Sequence, residues 1–427
     1  KGRGIITVLH DLNLAAYYAT EILLLKAGRI YAQGSPLETL TPARIQSTYG
    51  VAAHCQLLPN SQKLHCIIQP STPATHSFVS TNQTIMTSLQ QQIQTYKAEN
   101  PRARPYNIAQ DLGISELEVL EVSEDKEVIY LGTDYETLLT QLQPLGKVMA
   151  LTRNDHAVSE IKGVYDNVSF MDKAPMGLAH NALIDLRYFT ARWAHAYAVQ
   201  WSAGKRTIRS FQIFDVSGHA VHKIYATPAT NLEAYQALIE RLAQPQGRSG
   251  ALEAAPAPAP LAPNLTEAEI TDFQTAWLEM KDTHEFFSLL RKYGLNNDRQ
   301  RAFELAPEGH AYRVDQNALV ALLENAVDEQ IPMMFFLGNR SCLQIFSGHI
   351  HRLKPMENWY NILDRDFNLH LKLDAIEDAW VVKKCTDDGL VTSIELFDEA
   401  GDHILYCFGK RKPGIPELET WRAAIDR

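Results

Sequence analysis

Residues 211–242, FQIFDVSGHAVHKIYATPATNLEAYQALIERL, are answered further along by residues 394–425, IELFDEAGDHILYCFGKRKPGIPELETWRAAI. Both run strand, turn, strand, loop, helix, and Asp215 falls opposite Asp398 (398 − 215 = 183). VMALTRNDHAVSEIKGVYDNV matches PMMFFLGNRSCLQIFSGHIHRL, with Asn154 opposite Asn339 (339 − 154 = 185). YNIAQDLGISELEVLEV matches FFSLLRKYGLNNDRQRAFEL, with Gly113 opposite Gly294 (294 − 113 = 181). Blocks in one order at a nearly constant offset define a tandem duplication. Each copy reads as a helical start, several strands of period-two patterning and a final helix. The expected class is therefore α+β, a repeated antiparallel-sheet-plus-helices unit. Duplication also implies a pseudo-twofold pair of sheets, and a cleft between the copies is a natural place for a ligand.

The expected boundaries are 87–243 for the first copy and 265–427 for the second. Between them, residues 244–264 (QPQGRSGALEAAPAPAPLAPN) read as an extended Pro/Ala-rich tether. Thr266 with Glu269 forms a capping box for the helix that follows. Ahead of the first copy, residues 68–86 are Ser/Thr-rich and aperiodic, as a linker would be. Residues 1–67 form a separate α/β piece. GIITVL reads as a buried strand, LNLAAYYA as a helix, and EILLLKAGRIYAQG as a hairpin turning at Ala27-Gly28. Thr41 caps a helix with Pro42 at its first position. The chain starts without methionine, and Met86 is expected to be the natural start of the duplicated protein.

The formal net charge of −10 argues against a general nucleic-acid binder, which needs basic excess to displace counterions. Cys55, Cys66, Cys342, Cys385 and Cys407 are odd in number and scattered, the pattern of reduced thiols in a cytoplasmic protein. No stretch approaches the roughly 20 apolar residues of a membrane span. His10, Asp11 and Glu21 make the start a poor signal peptide.

His284 is the histidine that most invites chemistry. In MKDTHEFFSLLRKYGL (280–295), Asp282 with Glu285 reads as a D-x-x-E capping box, placing His284 in the first turn of a helix ended by Gly294. A helix N-terminus disfavours imidazolium, and Phe286 and Phe287 supply apolar walls. These features suit an axial ligand of an iron porphyrin; the competing reading is a histidine packed at a helix end. The position matching His284 in the first copy is Ala103 (284 − 103 = 181), which points to one shared site rather than two.

Residues 86–427 resemble the hemin-degrading factor family (the HemS, ChuS and HmuS proteins). The matching stretches are LTRND, LIDLRYF, KIYATPATN, MKDTHEFFSLL, FLGNRSCLQIFSG, NLHL, AWVVKK and DGLVTSIELFD. The resemblance implies heme in the cleft between the copies, with His284 as the proximal iron ligand. It places Arg187 on the distal face, where a cation would stabilise negative charge developing during oxidative ring opening. Residue chemistry alone favours a strand arginine paired with a carboxylate. Arg299 is implied as a partner of the heme propionates, against the plain reading of a solvated helix start. A family tyrosine falls at Phe408, so its hydroxyl is missing; Tyr406, two residues away, could substitute. Arg411 keeps the basic end of that stretch. An alternative histidine ligand of some members falls at Ser159, with His156 nearby in another register.

Other candidates carry less. His349 and His351 could form a metal pair on one strand face but lack a third ligand. His54-Cys55 and His65-Cys66 could suggest zinc. Arg352 and Lys354 could neutralise propionates or face solvent.

VLHDLNLA and LLLKAGRIYAQGSP resemble the C-terminal end of the ATP-binding subunit of heme and iron-chelate ABC transporters, with His10 as the switch histidine. No G-x-x-x-x-G-K-[ST] occurs, and SAGKRT (202–207) lacks the preceding glycine, so nothing cradles a phosphate. ATP hydrolysis by this chain is not expected. The function implied is a cytoplasmic heme-binding protein of heme uptake that accepts imported heme and degrades it to release iron. The alternative is a carrier without turnover. Expected partners are heme, the inner-membrane heme ABC transporter and an electron donor.

Overall fold

The repeat resolves into two nine-stranded antiparallel sheets that exchange strands. The computed structural model describes residues 15–16, 19–26, 29–49, 53–57, 64–68, 78–254, 262–412 and 414–427. Two compact units divide the chain at Ser88/Leu89.

In the first unit, β1 (Ile22–Lys26) pairs antiparallel with β2 (Arg29–Gly34), as the hairpin reading requires, and β3 (Ala53–Leu57) pairs with β4 (Leu64–Ile68). Cys55 and Cys66 stand opposite each other, with Sγ atoms 3.3 Å apart. Helix Pro42–Tyr49 follows Thr41, whose Oγ1 accepts from the Arg44 amide. His10 and the first strand lie outside the described residues, as do the His54 and His65 side chains.

The first copy supplies β5 (Lys126–Gly132), β6 (Gly146–Arg153), β7 (Ala157–Gly163), β8 (Val168–Phe170), β9 (Met176–His180), β10 (Asp185–Phe189), β11 (Trp193–Ala203), β12 (Arg206–Asp215) and β13 (Ala220–Thr230). The second supplies β14 (Ala311–Val314), β15 (Met333–Gly338), β16 (Cys342–Gly348), β17 (Leu353–Met356), β18 (Trp359–Leu363), β19 (Phe367–Lys372), β20 (Asp378–Thr386), β21 (Gly389–Phe397) and β22 (His403–Gly409). One sheet runs β14-β20-β21-β22-β15-β16-β10-β9-β8 and the other β5-β11-β12-β13-β6-β7-β19-β18-β17. The two orders are the same list with the copies interchanged, so three strands of each copy complete the other copy's sheet.

The matched residues hold equivalent geometry. Asn154 Nδ2 donates to the carbonyls of Gly338 and Ile404, and Asn339 Nδ2 donates to those of Arg153 and Val221. Asp215 and Asp398 each accept two amides within their own hairpin turns. Gly113 and Gly294 end equivalent helices at φ 66° and 70°, a conformation costly for any residue with a Cβ.

Both linker readings need correction. Helix Phe78–Glu99 begins inside the stretch read as a linker. The tether is pinned over its first part. Arg248 grips Glu121 with Nε and a second guanidinium nitrogen at 2.8 and 2.7 Å, the Glu253 amide donates to the Val216 carbonyl, and Ser217 donates to the Ala254 carbonyl. One bidentate arginine overrides what Pro/Ala composition suggests about 248–254.

Alternate residues of both sheets pack into one shared core that includes Ala150, Leu186, Tyr188, Phe335, Leu337 and Leu405. His222 lies buried within it. Thr152 Oγ1 donates to Gln344, so it accepts from His222 Nδ1 at 2.8 Å, while the Tyr165 hydroxyl donates to Nε2 at 2.6 Å. Burial pushes the imidazole down to about 3. A histidine with a depressed folded-state value contributes stability above its unfolded value near 6.5, and that stability drains as pH falls toward 3. Denaturant midpoints should therefore fall between pH 6.5 and 5, with His222 accounting for about 2 kcal/mol. His222→Leu, matching Leu405 in the other copy, should flatten that part of the slope; an unchanged slope would contradict the assignment.

Candidate heme site

The candidate site is the outer face of the sheet that contains β10. Helices Glu267–Leu278, Glu285–Lys292 and Arg299–Glu304 cover one end of this face, burying Phe273, Trp277, Phe286 and Phe303 against Trp380, Val382 and Phe397. Each such aromatic contributes on the order of 2–3 kcal/mol by leaving water. Register aligns Trp380, Glu395, Tyr406, Phe336, Ile345 and Asp185 in one row across β20, β21, β22, β15, β16 and β10. Arg187 sits two residues along β10, on the same face. At about 4.8 Å per strand, Tyr406 to Asp185 spans about 14 Å, a platform broad enough for a planar macrocycle.

His284 stands at the lip of the helical cover, as the N-cap of helix Glu285–Lys292, with its side chain 86% exposed. Asp282 Oδ1 accepts from its backbone amide at 2.7 Å and from its ring Nδ1 at 2.5 Å. Those contacts, the amide first, hold the Asp282 carboxyl below its ordinary range, with help from nearby Arg411. The expected D-x-x-E box is displaced: Glu285 instead accepts from the Lys281 amide at 2.9 Å, and the helix starts one residue after His284. In a neutral ring, Nδ1–H bonded to a carboxylate leaves the lone pair on Nε2, the arrangement that orients a metal-ligating imidazole and raises its basicity.

Phe286 is anchored in the helical core while Phe287 remains half exposed, so only the second of the pair is available as a wall. Phe336 stacks on Tyr406 with ring centroids 4.9 Å apart, and Phe408 meets Phe336 edge-on at 5.2 Å. Tyr406, Phe408 and Phe336 are half-buried and form an aromatic floor. Tyr406 therefore shares the face with Phe408, as the spacing required.

The arginines are less free than the sequence suggested. Arg187 is 35% exposed, paired with Asp185 and bonded to the Leu186 carbonyl at 3.1 Å, the alternative that residue chemistry favoured. Arg299 is 16% exposed rather than solvated, 3.0 Å from Glu395, with its guanidinium beside Phe287 and Tyr406. Arg411 contacts Asp388 at 3.2 Å.

Beside the floor, on the same sheet face, lies a network that the sequence did not disclose. Glu395 is fully buried, 2.7 Å from Lys384 Nζ and 3.6 Å from His403 Nε2. Burial alone would raise the Glu395 carboxyl, but Arg299 and Lys384 hold it well below the usual range. Burial, with Arg299 adding, pushes the His403 imidazole down to about 3, so this ring is neutral. Two cations around one carboxylate leave a net positive charge beside the aromatic floor.

Several candidates fall elsewhere. Ser159 faces the shared core and accepts from Gln344 Nε2 at 3.0 Å, so that position is not in the cleft. His156 pairs with Asp398 at 3.1 Å. His349 and His351 lie between β16 and β17 rather than on a strand, with rings 6.4 Å apart. Arg352 precedes β17 and Lys354 lies on it, both in the other sheet. Among the described residues no group of three or more His, Cys, Asp or Glu could hold a metal ion, and no helix is long and apolar enough to cross a membrane.

An exposed imidazole held by a carboxylate and an aromatic sheet face, on a duplicated α+β scaffold, are the parts a prosthetic-group pocket would need. The model of the haemin-degrading HemS/ChuX domain matches residues 113–242 and 296–427, and the chain belongs to that family. The hemin transport protein HmuS of Yersinia pestis is 37% identical over 340 residues, spanning 80% of this chain and 97% of that protein. Holo-PhuS, a heme-binding protein from Pseudomonas aeruginosa, superposes with a TM-score of 0.75 at 38% identity, covering 80% of this chain and 98% of that one. ChuS, an E. coli heme oxygenase, gives 0.66 at 33% identity over 75% and 94%. Separately, the hemin import ATP-binding protein HmuV of Plesiomonas shigelloides is 46% identical over 65 residues, 15% of this chain and 25% of that protein.

Proposed function

We propose that this chain takes up heme in the cytoplasm, after its import by an inner-membrane ABC transporter, and holds it on His284 for recovery of its iron. The observation that carries this reading is the carboxylate-oriented imidazole at the start of a helix whose Phe287 shares the Arg299 guanidinium with the aromatic face at Tyr406. His284 Nε2 would hold the heme iron, with Asp282 fixing the ring. Phe287, Phe336, Tyr406 and Phe408 supply apolar contact and exclude water. Arg411, close to Asp282, is the cation best placed for a propionate; Arg299 is committed to Glu395 and positions Tyr406. Bound heme supplies the redox-active iron and the oxidisable ring.

The second reading, oxidative ring opening with an electron donor, is favoured by Arg187, which lies on the same face and brings a cation there, paired with Asp185. Hemin titration, followed by reduction under oxygen and identification of the tetrapyrrole product, tests both. A ring-opened product supports the enzyme, intact heme the carrier, and an unperturbed hemin spectrum overturns the proposal.

Arg187→Ala should leave most hemin affinity in place. A nearby cation favours the more negative form of a small iron ligand, so the acid–alkaline transition of the ferric protein should move to higher pH in the variant. Ring opening should slow as well. Matching spectroscopic titrations and matching rates would place Arg187 away from the iron.

A further inference from the structure

Ala103 in place of a second His284 pointed to a single site, but the pseudo-twofold shows that an imidazole has moved rather than vanished. Arg187 on β10 pairs with Leu343, and His370 on β19 pairs with Val158. Val158 and Leu343 are equivalent (343 − 158 = 185), as are Leu151 and Phe336. His370 therefore occupies, on the outer face of the second sheet, the place Arg187 occupies on the first. On the helix side the exchange runs the other way. Arg104 is the N-cap of helix Pro105–Leu112, next to Ala103, and its guanidinium is near enough to disfavour a charge on His370. One cleft has histidine on the helix and arginine on the strand; the other has arginine on the helix and histidine on the strand.

The surroundings of His370 suit a ligand. Its Nδ1 lies 2.6 Å from Asn361 Oδ1, an acceptor, so Nδ1 carries the proton and Nε2 is left with its lone pair. Among the described residues no hydrogen bond reaches that Nε2. Burial disfavours a charge on the ring, against the pull of Glu160, which itself accepts from Asn368. We propose that this second cleft is a further heme site, weaker than the first, with His370 Nε2 as the axial ligand and Arg104 across from it. This inference rests on the heme-binding reading of the first cleft.

The floor explains why the site is weaker. Leu151 and Val158 replace Phe336 and Leu343, and Lys223, tied to Glu116 at 2.9 Å, replaces Tyr406. Arg153 takes the place of Gly338 and stacks under Tyr106 at 3.8 Å, which narrows the cleft. Loss of the aromatic pairing corresponds to binding about tenfold or more weaker.

The test is hemin titration of the full chain, with absorbance spectra and heme-to-protein ratio read after gel filtration. Wild type should show a tight equivalent followed by a weaker one. His370→Ala should keep the tight phase and lose the second, and His284→Ala should keep only the weaker phase. Saturation of wild type at one equivalent, or a second phase that persists in His370→Ala, overturns the second site. Absence of binding in every variant would instead overturn the heme-binding reading itself.

Discussion

His284→Ala is expected to weaken the tight hemin equivalent by roughly 100-fold and to abolish its histidine-type Soret band. Replacing a residue that merely orients a metal ligand already costs about 10–100-fold, and this substitution removes the ligand atom itself. The side chain projects from the helix start into solvent, so its removal leaves no cavity and the fold should be untouched. Asp282→Ala separates ligand from orienter: the imidazole remains but its tautomer and direction are released, and a loss of about tenfold is expected. Equal affinity and equal spectra for wild type and His284→Ala would remove the histidine from the site. Equal affinity in Asp282→Ala alone would show that the ring needs no carboxylate to hold it.

The second large effect concerns stability. Glu395→Ala leaves Lys384, 4% exposed, and Arg299 without a counter-charge, and breaking a buried pair in this way costs about 3–5 kcal/mol. That is a large fraction of the roughly 5–15 kcal/mol that holds a domain folded. The double change Glu395→Leu with Lys384→Met should recover part of the loss, since apolar groups of similar volume often replace a buried pair at little cost. Urea unfolding of the single and double variants decides the matter. A loss below about 1 kcal/mol in Glu395→Ala would mean that water reaches the network and screens it.

The architecture was legible to different depths in different places. Asn154 with Asn339, Gly113 with Gly294, and Asp215 with Asp398 disclosed the repeat because each is a backbone device that only a few residue types perform. The exchange of β8–β10 and β17–β19 was not disclosed. Period-two patterning says which residues face inward but carries no label for the neighbouring strand, and a symmetric swap leaves the pattern of each copy unchanged. At the site, His284 stood out, but Asp282 was read as half of a capping box rather than as the carboxylate that holds the imidazole. Glu395, Lys384 and His403 did not stand out, and Arg299 was named only for the propionates, because the four are drawn from separate strands and a helix, and a buried ion network has no fixed spacing. Arg299 shows the cost most clearly. Its sequence neighbours, NNDRQRAF, look like a wet helix start, whereas its buried partner lies almost a hundred residues on.

The strand exchange also says something about a single copy on its own. With β8–β10 lent to the other sheet, one copy keeps six strands ending at an unpaired β7, or at β16 in the other copy. It also has a three-stranded flap with nothing beneath it. Two identical chains of that kind would close each other's sheets about a twofold axis and be complete only as a pair. Joining the copies in one polypeptide makes the closure intramolecular, independent of how many molecules surround it. It also releases the two faces from having to be alike: an aromatic platform can persist on one while charges accumulate on the other, and neither change is imposed twice.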